Sequence, residues 1–147
     1  MKTKEQERRV DEWTADYIAA LNDNFYNDQV QSYGLMVQNS ANCYSDHAVK
    51  MLKRIKERNP KDLYTWRSIK GRKYNKIVQR EWSSEDRKFV DRTVHAFVDR
   101  YTGEVYKPAG WQNVAKHVRY DMRIIKERAI LHDSSKIDWA GGHLYMR

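Results

Sequence analysis

The sequence has few of the residues on which disulfide-bonded folds and common phosphate loops depend. Cys43 is the only cysteine among 147 residues, so neither an internal disulfide nor a cysteine-based zinc site can form. The chain has 6 glycines, and none falls at the spacing of a Walker or dinucleotide-binding loop. The N-terminal residues are charged, and no apolar run is long enough to span a membrane. We therefore expect an intracellular protein that does not contact the membrane.

Patterns typical of catalysis are also weak. The chain has five histidines, and no two of them form an i, i+4 pair on a predicted helix: His47, His95, His117, His132 and His143. Asp91, Asp99 and Glu104 lie on or beside a predicted hairpin, but a metal-dependent nuclease needs a tighter carboxylate cluster. The sequence predicts a protein that is not an enzyme and has neither a metal nor a cofactor. A metal-dependent nuclease or phosphoesterase is the disfavoured alternative.

Positive charge and aromatic rings are abundant. Lys and Arg number 28 against 20 Asp and Glu, which gives a formal net charge of +8. Such a balance favours phosphate-bearing partners. The 5 Trp and 10 Tyr can stack on nucleobases, although any one of them is more simply explained as part of the core.

The hydrophobic periodicity is helical before Pro60 and typical of strands after it. An apolar stripe predicts a helix from about Lys4 to Leu21, with Asn22-Asp23 interrupting it: Val10, Trp13, Tyr17, Ile18 and Leu21. A second helix, weakened by Gly34, and a third that ends at Asn59-Pro60 are expected to follow. The stripe is large for this chain, and if exposed it would mark an interface. We therefore expect a homo-oligomer, with a dimer as the minimum.

The second part of the chain contains a clear β-hairpin. Residues 93–98 form a strand whose alternation places Ala96 on one face and His95 on the other; residues 99–103 turn, and 104–107 return. Another strand is expected over 72–80, whereas 111–120 and 122–131 are ambiguous. The predicted fold class is α+β, an antiparallel β-meander with helices packed on one face and an N-terminal helical arm. We divide the chain into a helical region, 1–60, and an α+β ligand-binding region, 61–147, which together form one compact domain.

The candidate ligand site lies between Arg100 and Tyr120. A turn could bring together several cations that neutralise phosphate and rings that stack on a base. The candidate residues are Arg100, Tyr106, Lys107, Trp111, Lys116, His117 and Arg119. In the alternative interpretation, Tyr106 and Trp111 belong to the core, and Lys107 and Lys116 are merely solvated.

One segment resembles a known group of proteins. It comprises HAFVDRYTGEVYKPAGW at residues 95–111 and AKHVRY at residues 115–120. This segment resembles one found in many small proteins encoded by tailed bacteriophages, and the ending DWAGGHLY at residues 138–145 looks like the ending of the same group. In size and layout the chain is also similar to phage anti-Thoeris sponge proteins, which sequester cyclic ADP-ribose signals of a bacterial defence system.

The resemblance implies a phage protein in the host cytoplasm, with oligomeric assembly and pockets at subunit interfaces. Arginines and an aromatic ring grip the nucleotide in the sponge proteins, and Arg100 and Arg119 are the positions in the shared segment that would take this role. The leading hypothesis is therefore a non-catalytic protein that binds and sequesters a small anionic cyclic nucleotide to counter host defence. The alternative is a DNA- or RNA-binding accessory protein or a minor structural protein of the virion.

Overall fold

Two N-terminal helices precede a β-sheet in the computed structural model, which describes residues 3–39 and 44–145. Helix α1 spans Lys4–Asn39 and helix α2 spans Tyr44–Lys56. Thr3 caps the first helix, because its hydroxyl accepts a hydrogen bond from the backbone N–H of Gln6. Cys43 lies outside the described residues.

Helix α1 is continuous, so the predicted break at Asn22-Asp23 is wrong. The helix runs for 36 residues and also passes through Gly34. Tertiary contacts explain the continuity. Leu21 and Phe25, on either side of the predicted break, are both buried in the core. Packing of an apolar face outweighs the weak local preferences of single residues.

Five antiparallel strands form the sheet, in the sequential order of a meander. Their bounds are Thr65–Lys70 for β1, Tyr74–Ser83 for β2, Lys88–Asp99 for β3, Glu104–Tyr106 for β4 and Tyr120–Asp121 for β5. The predicted α+β class and the hairpin β3–β4 are confirmed. Strand β1 was not predicted. The ambiguous segment 122–131 contains helix α3, Ile125–Leu131, whereas 111–120 consists mainly of turns that lead into β5.

The apolar stripe of α1 is part of the core. Val10, Tyr17 and Leu21 are completely buried and pack with residues of the sheet such as Ile77 and Ala96. The stripe is therefore not an exposed interface, and it no longer supports the predicted homo-oligomer. Within residues 3–39 and 44–145, no helix combines the length and apolar character needed to cross a bilayer.

Strand β3 carries two irregularities in its pairing with β2. At the first, the pair Ile77–Ala96 is followed by Val78–Val94, so His95 has no partner on β2. At the second, the pair Gln79–Thr93 is followed by Arg80–Asp91, so Arg92 has no partner on β2. A bulge of this kind interrupts the alternation of side chains and re-aims the extra residue. The predicted alternation places His95 on the face opposite Ala96. His95 instead contacts Tyr17 of α1, which belongs to the same core cluster as Ala96, so that prediction is wrong.

Candidate functional site

A cleft of about 260 Å³ lies beside the bulged part of β3. Strands β2 and β3 contribute Gln79, Arg92 and His95 to its lining. Lys107, just after β4, and the aromatic residues Trp139 and Tyr145 of the C-terminal segment, residues 134–145, also line it. Both unpaired residues of β3 thus line the same cleft.

The two cations of the cleft are held by neighbouring side chains. Arg92 donates from Nη1 to the buried Oε1 of Gln79 at 2.7 Å, and its guanidinium lies 5.0 Å from the centre of the Tyr64 ring. Lys107 Nζ lies 4.0 Å from the centre of the Tyr145 ring, a cation–π distance. Contacts of this kind restrict the side chains before any ligand arrives.

The electrostatic character of the cleft is positive. Its lining includes Arg92 and Lys107, and no described lining residue is an aspartate or glutamate. The carboxylate of Glu81 lies near Arg92 but outside the lining, with Arg92 Nε and Glu81 Oε2 3.7 Å apart. An anion in the cleft would therefore meet two cations at short range without an opposing charge in the lining.

A buried polar cluster adjoins the cleft through His95, which is part of the lining. Tyr17 Oη lies 2.8 Å from His95 Nε2 and 2.6 Å from His143 Nε2. Burial lowers the pKa of His95 to about 3, with a further contribution from His143. Burial also lowers the pKa of His143 to about 4, against the opposing charge of Asp138, and raises the pKa of Tyr17 well above its usual value. All three groups are therefore neutral at pH 7.

The C-terminal segment forms one wall of the cleft, and Asn24 of α1 holds it in place. The Asn24 amide donates to the carbonyls of Ser134 and Ile137 and accepts from the N–H of Trp139, each at 2.8 Å. Gly141 has a φ of 91°, in the left-handed region that glycine adopts without strain. This turn lets the chain pass close to the His95 ring.

The family model DUF7717, described as a family of unknown function, matches residues 1–146. The chain belongs to DUF7717. No curated protein and no solved structure matched in the comparisons. Membership of DUF7717 assigns no activity, so the chemistry of the cleft carries the functional argument.

In the DUF7717 chain the two halves of the predicted ligand segment lie side by side, since the Arg119 N–H donates to the Val105 carbonyl and the Ala115 N–H to the Lys107 carbonyl, each at 2.8 Å. Of the predicted ligand residues, only Lys107 lines the cleft. Arg100 instead donates from Nη1 to the carbonyl of Gly71 at 2.9 Å and lies 3.7 Å from Glu7, so it links the hairpin to the β1–β2 turn and to α1. Tyr106 packs edge-on against Tyr74, with ring centres 6.0 Å apart.

The remaining predicted residues lie between β4 and β5. Trp111 is 47% exposed, and the centre of its ring lies 5.7 Å from Lys76 Nζ. Lys116 and His117 are exposed, and His117 adopts a φ of 78°. Arg119 is half-buried, and its Nε and Nη1 have no hydrogen-bond partner within the described part of the chain. The roles of these residues in binding stay predictions.

The carboxylates considered for metal chemistry are occupied elsewhere in this DUF7717 chain. Asp91 pairs with Arg67 through two hydrogen bonds of 2.9 and 2.6 Å. Asp99 accepts from the backbone N–H groups of Tyr101 and Thr102 and so stabilises the hairpin turn. Among residues 3–39 and 44–145, no three His, Cys, Asp or Glu side chains are placed to hold a metal ion.

Sequence reasoning missed most of the cleft. Arg92 and Trp139, which line it, were not identified as site residues, and His95 was considered only as a metal ligand. The bulges that re-aim Arg92 and His95 depend on the pairing between β2 and β3, for which the local pattern of β3 contains no signal.

Proposed function

We propose that this protein binds a small anionic, phosphate-bearing ligand in the cleft between β3, Lys107 and the C-terminal segment. The observation that carries the proposal is the pair of bulges that direct Arg92 and His95 into one cleft. Bulges are common beside functional sites, since they change the direction of a side chain without changing the strand.

The chemistry of the lining favours a phosphate with an attached ring. Arginine binds phosphate through two parallel hydrogen bonds, and Lys107 adds a second cation. The ring faces of Trp139 and Tyr145 could stack on a base. Phosphate and ring recognition together are what a nucleotide requires.

The size of the cleft limits what it can enclose. Its volume of about 260 Å³ lies just below the range of roughly 300–1,000 Å³ of most small-molecule sites. It would therefore enclose a small ligand, or one nucleotide unit of a larger ligand whose remainder lies outside.

The finer proposal is that the ligand is a cyclic nucleotide signal and that binding serves to sequester it. Under this proposal the protein is encoded by a phage and acts in the host cytoplasm against a defence system. It is supported by the resemblance of residues 95–120 to phage proteins and by the positive, aromatic lining of the cleft.

Calorimetry with three anions tests the binding proposal: inorganic phosphate, AMP and a cyclic ADP-ribose isomer. We expect binding of at least one of them to weaken about tenfold or more in Arg92→Gln, the scale of a lost charged hydrogen bond. Lys88→Gln is the matched control, because Lys88 is an exposed cation on the same strand.

Absence of binding for all three anions, or equal losses in the two variants, would contradict the proposal. Mass spectrometry of small molecules released from protein purified out of cells would identify the natural ligand.

We further propose that binding is not followed by a reaction. Cyclic ADP-ribose and DNA incubated with the protein and magnesium, manganese or zinc should remain intact. Turnover that is lost in His95→Gln would show that the protein is an enzyme.

Nucleic-acid binding is the second candidate function. The exposed lysines of α2, Lys50, Lys53 and Lys56, form a basic surface apart from the cleft. Fluorescence anisotropy with DNA and RNA tests this surface. Binding that falls steeply with salt and weakens when all three lysines become glutamine, but not in Arg92→Gln, would favour this function.

A further inference from the structure

The buried cluster of Tyr17, His95 and His143 determines where the protons of the two imidazoles lie. The Asp138 backbone N–H donates to His143 Nδ1 at 3.0 Å, and a backbone N–H can only donate. His143 Nδ1 therefore carries no proton. Because a neutral imidazole has one proton, His143 carries it on Nε2.

The position of the His143 proton determines where the protons of Tyr17 and His95 lie. His143 Nε2–H donates to Tyr17 Oη, so the single Tyr17 hydroxyl proton is directed to His95 Nε2. His95 Nε2 is thus an acceptor, and its own proton lies on Nδ1. Within the described residues, His95 Nδ1 has no hydrogen-bond partner, although only 7% of the residue is exposed.

The opposite arrangement places two hydrogens against each other. If His95 carried its proton on Nε2, the Tyr17 hydroxyl would either donate to His143 or keep its buried proton without an acceptor, which is costly. In the first case the His143 proton would lie on Nδ1 and face the Asp138 N–H across 3.0 Å. One direction of hydrogen bonding is therefore compatible with the geometry.

We propose that His95 presents Nδ1–H to the cleft as a fixed hydrogen-bond donor for the bound ligand, and that His143 and Tyr17 are positioning residues that set this tautomer. The proposal rests on the proposed function for its ligand. The ligand atom it selects is an acceptor, such as a phosphate oxygen beside Arg92. A cationic or donor group would be rejected there.

The tautomer can be measured without any ligand. Long-range ¹⁵N–¹H NMR at pH 7 distinguishes protonated from unprotonated ring nitrogens, and His95→Gln and His143→Gln assign the signals by their loss. We expect His95 to be protonated on Nδ1 and His143 on Nε2. In Tyr17→Phe the His95 tautomers should become mixed, provided that circular dichroism shows the fold intact. A His95 protonated on Nε2 in the native protein would overturn the inference.

Two variants of His95 distinguish the role of Nδ1, the donor, from that of Nε2, the acceptor. The shorter amide introduced by His95→Asn can donate from near the Nδ1 position, whereas His95→Gln places an amide near Nε2, where it meets Tyr17. With the three anions named above, we expect His95→Gln to weaken binding about tenfold and His95→Asn to weaken it less. Thermal melting of both variants controls for folding.

The possible outcomes distinguish this inference from the proposed function. If the native protein binds an anion and Arg92→Gln weakens it, but both His95 variants bind normally, the donor role is wrong and the proposed function stands. If the native protein binds none of the anions, the proposed function and the donor role both fall. The NMR measurement decides the tautomer in either case.

Discussion

Tyr17 is the residue on which the buried polar cluster depends. Its hydroxyl is completely buried, and it contacts both His95 and His143. A polar group removed from water stabilises the fold only when it is paired, and an unpaired one is strongly unfavourable. The cluster therefore tolerates the loss of a single member poorly.

The Tyr17→Phe variant should lower the free energy of unfolding by about 2 to 4 kcal/mol. It keeps the packing of the ring but leaves one nitrogen of each histidine without a partner. Urea denaturation measures the change. Tyr33→Phe, the same substitution at a half-buried position on α1, should have little effect. Equal effects of the two variants would mean that the hydroxyl contributes nothing at position 17.

The two histidines should also make stability depend on pH. Their pKa values in the folded protein are about 3 and about 4, whereas an unfolded histidine titrates near 6.5. The unfolded state therefore binds more protons below pH 6.5, so acid favours unfolding. The stability is complete above pH 6.5 and is lost as pH falls toward the folded pKa values.

We expect the loss between pH 7 and pH 5 to be on the order of 3 kcal/mol. Most carboxylates titrate below this window, so the histidines dominate it. Urea denaturation across the window measures the slope, and His143→Gln should roughly halve it. A slope unchanged in His143→Gln would show that other groups cause the acid sensitivity.

At the scale of elements, α1 both covers the sheet and holds the C-terminal segment. Asn24 makes three hydrogen bonds to that segment, and Trp139 packs edge-on against Phe25 with ring centres 5.0 Å apart. The hydrogen bonds from Trp139 Nε1 to Asp28 and between Tyr17 and His143 add to this attachment of the cleft wall to the helix.

The Asn24→Ala variant should therefore loosen the wall without unfolding the sheet. It removes three hydrogen bonds and should lower the free energy of unfolding by about 2 kcal/mol. Hydrogen exchange measured by mass spectrometry should become faster in residues 134–145. Asn27→Ala, at an exposed position of the same helix, is the control. Unchanged exchange in the C-terminal segment would show that other contacts hold it.

Strand β3 shows which features of a strand its local sequence predicts and which depend on the neighbouring strand. The hairpin with β4 is local, and the turn residues at 99–103 indicate it directly. The two bulges arise from pairing with β2. A local pattern predicts that a strand exists, but it does not contain the register of the partner strand. For this reason the alternation placed His95 on the face opposite Ala96, which is wrong.

At the scale of the whole molecule, the assembly state stays a prediction. The apolar stripe that suggested a homo-oligomer is buried in the chain's own core. The expectation of a dimer now rests on the resemblance to oligomeric phage proteins alone. Multi-angle light scattering at micromolar concentration should report at least twice the chain mass of 17.7 kDa. A mass equal to one chain would remove the oligomer and the shared-pocket arrangement, but not the cleft within one chain.

The sequence by itself determined three properties of this protein: its positive charge, its α+β class and the hairpin at residues 93–107. These follow from local spacing and from counts of residues, which need no knowledge of distant contacts. The tertiary structure decided that α1 is one helix, that β3 is bulged at Arg92 and His95, and that Tyr17 meets His95 and His143 across 78 and 126 positions of the chain. Such contacts are set by packing and strand register between distant segments, and no local pattern encodes them.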